Sequence, residues 1–490
     1  MIPIAEVEKH NSRESCWVVI DGNVFDVTEF LNRHPGGSNV ILRRAGMDAT
    51  EEYEQVHPPG TIESHLPKDK HLGPVIMYQD LKSAAALDTG EVKDKGAVPA
   101  VTPVGSILPL SACQSLEDLG QVARAVLSPK AAVYFDSGAE SLSSLRQNRS
   151  DWNRITFRPR VLRNVSRIDM RCCIMGSESS LPIFIAPAAA ARLGHKDGER
   201  CLTRGAARMD IPQCVCTYAS VAPTDLMECF QSDPERRGGA LFFQLYVPKM
   251  RNDAEKLIAM AKLSGFKALV VTVDSPVIGK RNDDDRFKAL SAYNEGLVNE
   301  ALPDQWVLPG QEAETLHGVH NSTLEWSDLA WIRQHWGDGP LIIKGIQTAE
   351  DALEAVRYGV DGIYLSNHGG RQLDHAPSPV QVLLEIKQRD PHIFTSTQVY
   401  VDGGVMRGTD VVKALCLGAR AVGIGRGFLY ALSAYGTKGV LRAISILSDE
   451  IQTTMRLIGV TSLAQLNDSY INLDHIGPSS TFPDKERSKI

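Results

Sequence analysis

The stretch Ser366-Asn-His-Gly-Gly-Arg-Gln-Leu-Asp374 places a base and a carboxylate receptor almost side by side. His368 titrates near neutral pH and serves as a general base, and Arg371 offers a planar fork that pairs bidentately with a carboxylate. Asp274, in Thr272-Val-Asp-Ser-Pro276, is suited to orient the imidazole and raise its basicity. Together these groups grip a carboxylate and remove a proton from the adjacent carbon or its hydroxyl. The glycines of Asp402-Gly-Gly404 and Gly423-Ile-Gly-Arg-Gly427 free backbone N–H groups for a phosphate. The second run lacks the spacing of a dinucleotide fingerprint, so a mononucleotide cofactor is expected rather than NAD.

A second chemistry lies near the N-terminus, in Phe30-Leu-Asn-Arg-His34-Pro-Gly-Gly37. Pro35 and the glycines break helix and allow a tight turn that holds His34 in one orientation. His57 also precedes a proline, and the helix-forming SNVILRRAG (38–46) between the two can form the floor of a cleft. An iron porphyrin needs one ligand on each face, so two histidines on opposite walls suit it. Taken singly, each is more commonly an ordinary surface or core histidine, and His65 and His71 compete with His57 as second ligand.

The elements that must carry these residues fall into two regimes. Residues 1–80 contain the short strands CWVVI (16–20) and NVFDV (23–27), joined through Asp21-Gly22, a hairpin signal. Residues 81–105 are small, polar and Pro/Gly-bearing, the composition of a linker. From 106 to 470, β-branched runs alternate with amphipathic stretches, and 471–490 is expected to be a tail. The runs are 182–188, 213–219, 240–247, 268–274, 341–346, 362–367, 398–404 and 421–427, with helix patterns such as 254–265 and 349–359 that end at Gly. Eight β/α units in a row predict an α/β (β/α)8 TIM barrel, whose functional residues sit at the C-terminal ends of its strands. Those ends are rich in polar groups: Gln244 and Tyr246, Thr272 and Asp274, Lys344, Ser366, Asp402, and Arg426. Packing alone does not explain this, because each buried polar group without a partner costs several kcal/mol. From about 275 to 340 one connection is far too long, with only weak helical signals near 324–336, and is expected to act as a mobile lid.

Composition narrows the partners. The 490-residue chain is 43% hydrophobic and 23% charged, with a net charge of −7 and no basic tract, which argues against nucleic acid. No run of about 18 apolar residues occurs, so no membrane span is expected. The nine cysteines form no CxxC or CxxCH pattern, consistent with reduced thiols and with a heme held without thioether links. The N-terminus shows neither an apolar signal region nor an Arg-rich amphipathic stretch, and the cytosol is the default expectation.

Trp17-Val-Val-Ile20, Gly22, Val24, Asp26, Thr28, Phe30 and His34 through Gly37 stand in the places of the cytochrome b5 motif, so residues 1 to about 78 resemble that family. The resemblance implies an α+β heme-binding domain with heme b between His34 and His57, and six-coordinate iron suited to electron transfer rather than oxygen chemistry. Residues from about 115 to 470 resemble the FMN-dependent 2-hydroxy-acid-oxidising enzymes. The motifs are YFDSGAE (134–140), RITFRPR (154–160), FFQLYV (242–247), TVDSP (272–276), IKG (343–345), SNHGGRQLD (366–374), DGGVMRGTDV (402–411) and IGRG (424–427). Together the two halves look like the flavocytochrome b2 family of L-lactate:cytochrome c oxidoreductases.

That likeness implies His368 as base assisted by Asp274, with Arg371 and Tyr134 on the substrate carboxylate and Arg281 as a further carboxylate contact. Tyr246 would bond the substrate hydroxyl or keto oxygen, while Ala189 and Tyr218 shape the side-chain pocket. For FMN it implies Gln244, Thr272 and Ser366 around the isoalloxazine, with Ala188, Ala189 and Cys216 near it. Lys344 would stand at its N1/O2 edge, where positive charge favours reduction. Asp402, Gly403, Gly404, Arg407, Gly425 and Arg426 are expected at the ribityl chain and phosphate. It also implies an L-2-hydroxy acid as substrate, cytochrome c as acceptor, a homotetramer, and the mitochondrial intermembrane space as an alternative compartment.

Some positions depart from the pattern. Met406 replaces an arginine on the FMN phosphate, a contact worth about 1.5–3 kcal/mol. Phe135 replaces the second of a tyrosine pair, Cys216 a serine, and Ala188 a threonine. Two competing expectations follow: an oxidase that hands electrons to oxygen, and a non-catalytic heme carrier on a degenerate barrel.

Overall fold

The computed structural model describes residues 2–34, 37–57, 60–76, 107–294 and 321–476. The expected linker 81–105 lies outside the described residues, as does the middle of the long connection. The chain divides into two compact units, the first beginning at the N-terminus and the second at Gln114.

In the first unit, Asp21 and Gly22 both take left-handed backbone, with φ of 47° and 72°. That pair of dihedrals lets a two-residue turn match the twist of its strands. Trp17–Ile20 and Asn23–Asp26 accordingly pair antiparallel, Asn23–Asp26 pairs antiparallel with His71–Ile76, and the latter pairs parallel with Ile2–Pro3. Alternation along the strands gives this sheet two apolar faces. Val19 and Val24 pack with Val7 on one. Val18, Ile20 and Phe25 pack with Leu31, Ala45 and Leu66 on the other, against the helical side that carries Tyr53 and Ile62.

The second unit holds a closed barrel of eight parallel strands. In chain order they are Ile183–Ile185, Gln213–Cys216, Leu241–Leu245, Leu269–Thr272, Leu341–Ile346, Gly362–Leu365, Gln398–Val401 and Ala421–Ile424. Each lies within one of the eight expected runs. Nearly every strand residue is buried, because helices cover the outside and side chains fill the interior. The interior layer comprises Phe184, Cys214, Phe242, Val270, Ile342, Tyr364 and Tyr400, closed at the N-terminal end by Ile174 and Met175 of the hairpin Cys172–Ile174/Ser177–Ser179. Inward-facing positions recur every second residue, so two residues further along come Cys216, Gln244, Thr272, Lys344, Ser366 and Asp402. The barrel is therefore apolar at its base and polar at its C-terminal mouth.

The helix Arg251–Ser264 stops at Gly265 (φ 93°), and Ala349–Arg357 starts on the Thr348 hydroxyl, which accepts from Asp351 N. Among the described residues, the long fourth connection contains the helices Asn282–Asn294 and Asp328–Trp336. The first escapes a reading by apolar period because its opening turn is Asp283, Asp284 and Asp285, acids that complement the positive end of a helix. At the C-terminal side, Ile471–Asn472 pairs antiparallel with Thr156–Phe157. All nine cysteines are free thiols, and no described helix is long and apolar enough to cross a membrane.

Candidate active site

His368 follows the sixth strand in left-handed backbone (φ 58°), and Gly369 and Gly370 continue it at 66° and 78°. A non-glycine residue pays strain there, which persists when the surroundings hold it. Ser366 Oγ accepts from His368 N (3.1 Å), and Asn367 Oδ1 accepts from Gly370 N (3.0 Å). A Cβ on Gly370 would fall 2.6 Å from Leu145 N, so only glycine fits.

This turn aims the imidazole between two partners. Its Nδ1 lies 2.8 Å from Asp274 Oδ1, and its Nε2 lies 3.1 Å from Tyr246 Oη. With Asp274 ionised, Nδ1 carries the proton and donates, and Nε2 accepts from the phenol. Burial pushes the His368 pKa down from its ordinary value; Asp274 opposes this, while Lys344 reinforces it. The expectation that Asp274 would raise the basicity holds for its own contribution, but desolvation outweighs it. Burial would raise the Asp274 pKa, yet the charges of His368 and Lys344 and the hydrogen bonds from His368 and Ser275 hold it at about 2. At neutral pH the pair is thus carboxylate and neutral imidazole. The Tyr246 phenol is pushed well up, chiefly by burial, and stays protonated.

Facing this pair is a cluster of cations. Arg371 Nη1 donates to Tyr134 O (2.9 Å) and to Ser137 O and Oγ (2.9 and 3.1 Å), with the guanidinium 5.1 Å over the Tyr134 ring. These bonds fix the fork and leave its other nitrogens for a ligand. Burial first, then Arg281, lowers its pKa to about 9. Arg281 Nε is buried with no hydrogen-bond partner. Arginines crowded in this way favour an anion between them.

At the barrel mouth, Lys344 Nζ donates to Ser366 Oγ (3.0 Å) and lies 4.0 Å from Asp274 Oδ2 and 3.9 Å from Asp402 Oδ2. Gln244 Nε2 donates to Thr272 Oγ1 at 2.9 Å. Burial pushes the Cys216 thiol up to about 12. Ala188 and Ala189 lie on the loop after the first strand, before Ala190 (φ 56°). Gly403 and Gly404 are left-handed (φ 87° and 74°), and Trp152 Nε1 donates to Gly403 O at 2.8 Å. Gly425 precedes the helix Arg426–Ile458, which is kinked at Tyr435–Gly436.

Two features fit a flavin mononucleotide here. Asp402 Oδ1 is buried with no hydrogen-bond partner, as a polyol-binding acceptor would be. A Cβ on Gly425 would meet nothing within 4 Å, so space remains at a helix N-terminus. Arg426 donates from Nε, Nη1 and Nη2 to Phe135 O, Gly369 O and Ser137 O. Arg407 points elsewhere: it pairs with Glu450 (3.0 Å) and Glu117 (3.1 Å).

In the first unit, the His34 and His57 rings lie with centroids 5.9 Å apart and planes at 43°, close enough together that both would hold one heme iron. His34 Nδ1 donates to Gly37 O and His57 Nδ1 to Tyr53 O, each at 3.1 Å. With a heme bound, Nε2 would be the ligating atom of each. Burial lowers the His34 pKa and keeps the ring neutral, as a metal ligand must be. His71 Nε2 is turned to Leu66 O (3.1 Å), and His65 Nδ1 to Thr61 O (2.9 Å).

Several supporting residues escape a reading by motif. Ser275 Oγ donates to Asp274 Oδ1 (3.0 Å). Gln372 Nε2 donates to Asp274 O and Val277 O (both 2.9 Å), which ties the loop after the fourth strand to the His368 turn. Thr217 and Ser137 hold backbone around Tyr246 and Arg371. Ser137 and Ser275 sit inside recognised motifs, but only their side-chain direction reveals a task.

A barrel with a half-buried base, a cluster of arginines and a polar mouth, preceded by a domain with two neighbouring histidines, is the frame of a flavin- and heme-dependent oxidoreductase. The chain belongs to the FMN-dependent dehydrogenase family, whose model matches residues 123–473, and carries a cytochrome b5-like heme/steroid binding domain at residues 3–76. It is similar to L-lactate dehydrogenase (cytochrome) from Wickerhamomyces anomalus, with 38% identity over 469 residues, 95% of this chain and 79% of that protein. It is 40% identical to glycolate oxidase of Spinacia oleracea over 353 residues, 71% of this chain and 92% of that one. Among solved structures it resembles a flavocytochrome b2 with pyruvate bound, at a TM-score of 0.68 and 36% identity, over 77% of this chain and 90% of that one. An active chimera of (S)-mandelate dehydrogenase follows at 0.64 and 32%, over 74% and 99%. FMN and heme are the cofactors of this architecture.

Proposed function

We propose that the protein oxidises an L-2-hydroxy acid, L-lactate foremost, to the 2-keto acid and delivers the electrons through its heme to a cytochrome c. The observation that carries this reading is the placement of the His368 imidazole, 2.8 Å from Asp274 Oδ1 and 3.1 Å from Tyr246 Oη, together with the clamped guanidinium of Arg371. The names of the relatives called L-lactate dehydrogenase (cytochrome) support lactate as substrate and a cytochrome as acceptor. On this reading the enzyme works where cytochrome c is found, the mitochondrial intermembrane space.

Arg371, with Tyr134 and Arg281, binds the carboxylate and so fixes the carbon that reacts. Tyr246 hydrogen-bonds the substrate oxygen, and His368 Nε2 takes a proton, in either order of proton and hydride loss. Asp274 holds the imidazole and stabilises the cation that forms. Gln244, Thr272, Ser366, Lys344, Cys216, Ala188 and Ala189 would hold the isoalloxazine, and Asp402, Gly403, Gly404, Gly425 and Arg426 the ribityl phosphate. When bound, FMN accepts the electron pair from the substrate and heme carries electrons singly.

Anaerobic mixing of the holoenzyme with L-lactate, then with a panel of L-2-hydroxy acids, tests this at flavin and heme wavelengths together. Flavin bleaching followed by heme reduction is expected. No bleaching by any acid sinks the proposal. Peroxide formed in air at the turnover rate, unchanged in His34→Ala, would instead identify an oxidase.

A further inference from the structure

Two tyrosine rings lie nearly parallel to the ring of the base. Tyr218 stacks on Tyr246, with centroids 5.4 Å apart and planes at 21°, and the Tyr246 ring runs nearly parallel to that of His368, with centroids 6.2 Å apart and planes at 20°. Tyr246 Oη reaches His368 Nε2 at 3.1 Å. The backbone that carries Tyr246 is clamped by the residue before Tyr218. Thr217 N donates to Gln244 Oε1 (3.2 Å), and Thr217 Oγ1 donates to Gln244 O (2.6 Å) while accepting from Tyr246 N (3.1 Å). Tyr218 N in turn donates to Cys216 Sγ at 3.4 Å. With the main chain held, the remaining freedom of Tyr246 is rotation of its side chain, which would swing Oη away from the imidazole. A stacked aromatic neighbour opposes that swing.

We infer that Tyr218 is a positioning residue, whose ring splints Tyr246 so that its hydroxyl stays aligned with His368 Nε2 and with the substrate oxygen. This rests on the substrate contact proposed for Tyr246, and it differs from a wall of the side-chain pocket. A wall selects among substrates by size, whereas a splint affects every substrate alike. It also acts on turnover more than on binding, because the alignment matters most where the proton moves.

The test is a double-mutant cycle in the holoenzyme, with kcat and KM measured for L-lactate and for a longer L-2-hydroxy acid, and flavin and heme content measured for each variant. Tyr218→Leu is expected to lower kcat about fivefold with both acids and to change KM less than about twofold. Tyr218→Phe, which keeps the ring, should recover most of that loss. In the Tyr246→Phe background, Tyr218→Leu should cost nothing further. An equal loss in both backgrounds, a loss that depends on the side-chain length of the acid, or a Phe variant as impaired as Leu would each overturn the inference. If Tyr218→Leu does not accumulate with both cofactors, Tyr218→Met is read in the same cycle. Tyr246→Phe with normal turnover would remove the role of Tyr246 itself, a separate failure.

Discussion

His368 Nδ1 lies 2.8 Å from Asp274 Oδ1, and the carboxylate is held at about 2 while the imidazole is pushed below its ordinary value. The base form of His368 is therefore populated at neutral pH. Activity should be flat near and above neutrality and fall as pH drops through the lowered His368 value. Asp274 is a force that raises that value, so Asp274→Asn should move the acid limb of kcat/KM to still lower pH. The plateau should drop by about 100-fold or more, because the ring loses its orientation and the cation its partner. A limb that moved upward would contradict the pairing.

The Asp274 carboxylate has a second guard. Gly345 sits at φ 105°, and a Cβ there would fall 2.7 Å from Asp274 Cβ and 2.8 Å from its Cγ. Gly345→Ala is expected to displace Asp274 and to strain the fifth strand, at a cost of about 1–3 kcal/mol. Thermal unfolding should show the loss of stability, and kcat should fall by more than KM changes. Unaltered turnover would mean that the carboxylate tolerates displacement.

The barrel was legible because its strands are buried on both sides and read as apolar runs between glycine-stopped helices. The polar mouth was legible for the same reason: charge at the end of an apolar run has no packing explanation. The helix Asn282–Asn294 was not, because its acids satisfy the helix dipole and not an apolar stripe. Nor was the net direction of the His368 shift, which depends on three-dimensional burial that outweighs a charge visible in sequence. The histidine pair shows the same division. His34 announces itself by its Pro-Gly-Gly turn, whereas His57 is marked in the sequence only by spacing, a following proline and resemblance, and its placement near His34 comes from the fold.

Arg371 presents a planar fork whose Nη1 is already committed to Tyr134 O and Ser137. A lysine supplies one point charge and satisfies neither the clamp nor two carboxylate oxygens. Arg371→Lys should lower kcat/KM by about 10–100-fold, the equivalent of one or two charge-assisted bonds of about 1.5–3 kcal/mol in total. Steady-state kinetics should place a large part of the loss in KM, with both cofactors retained.

Met406 N donates to Asp410 Oδ2 (3.1 Å), so its backbone is held by the carboxylate that also binds Arg149. Its side chain brings no charge to the glycine-lined end of the site. Met406→Arg should tighten FMN about tenfold or more in titrations of the apoprotein followed by flavin fluorescence, while riboflavin, which lacks the phosphate, gains little. Equal gains for both would place the new side chain away from the phosphate.

The heme prediction separates the two cofactors. His57 donates from Nδ1 to Tyr53 O at 3.1 Å and stacks on the Tyr53 ring at 4.4 Å, with its ring centroid 5.9 Å from that of His34. If His34 and His57 are the heme ligands, removing the His57 side chain takes away one of the two, which should weaken heme retention during purification. The base, the arginines and the barrel mouth belong to the other unit. His57→Ala should therefore oxidise L-lactate at close to the normal rate when an artificial acceptor draws electrons from the flavin, while cytochrome c reduction collapses. His65→Ala and His71→Ala should keep the heme spectrum of a six-coordinate iron. Loss of that spectrum in either, with its retention in His57→Ala, would reassign the second ligand. Equal loss of both activities in His57→Ala would show that flavin chemistry needs an intact heme domain.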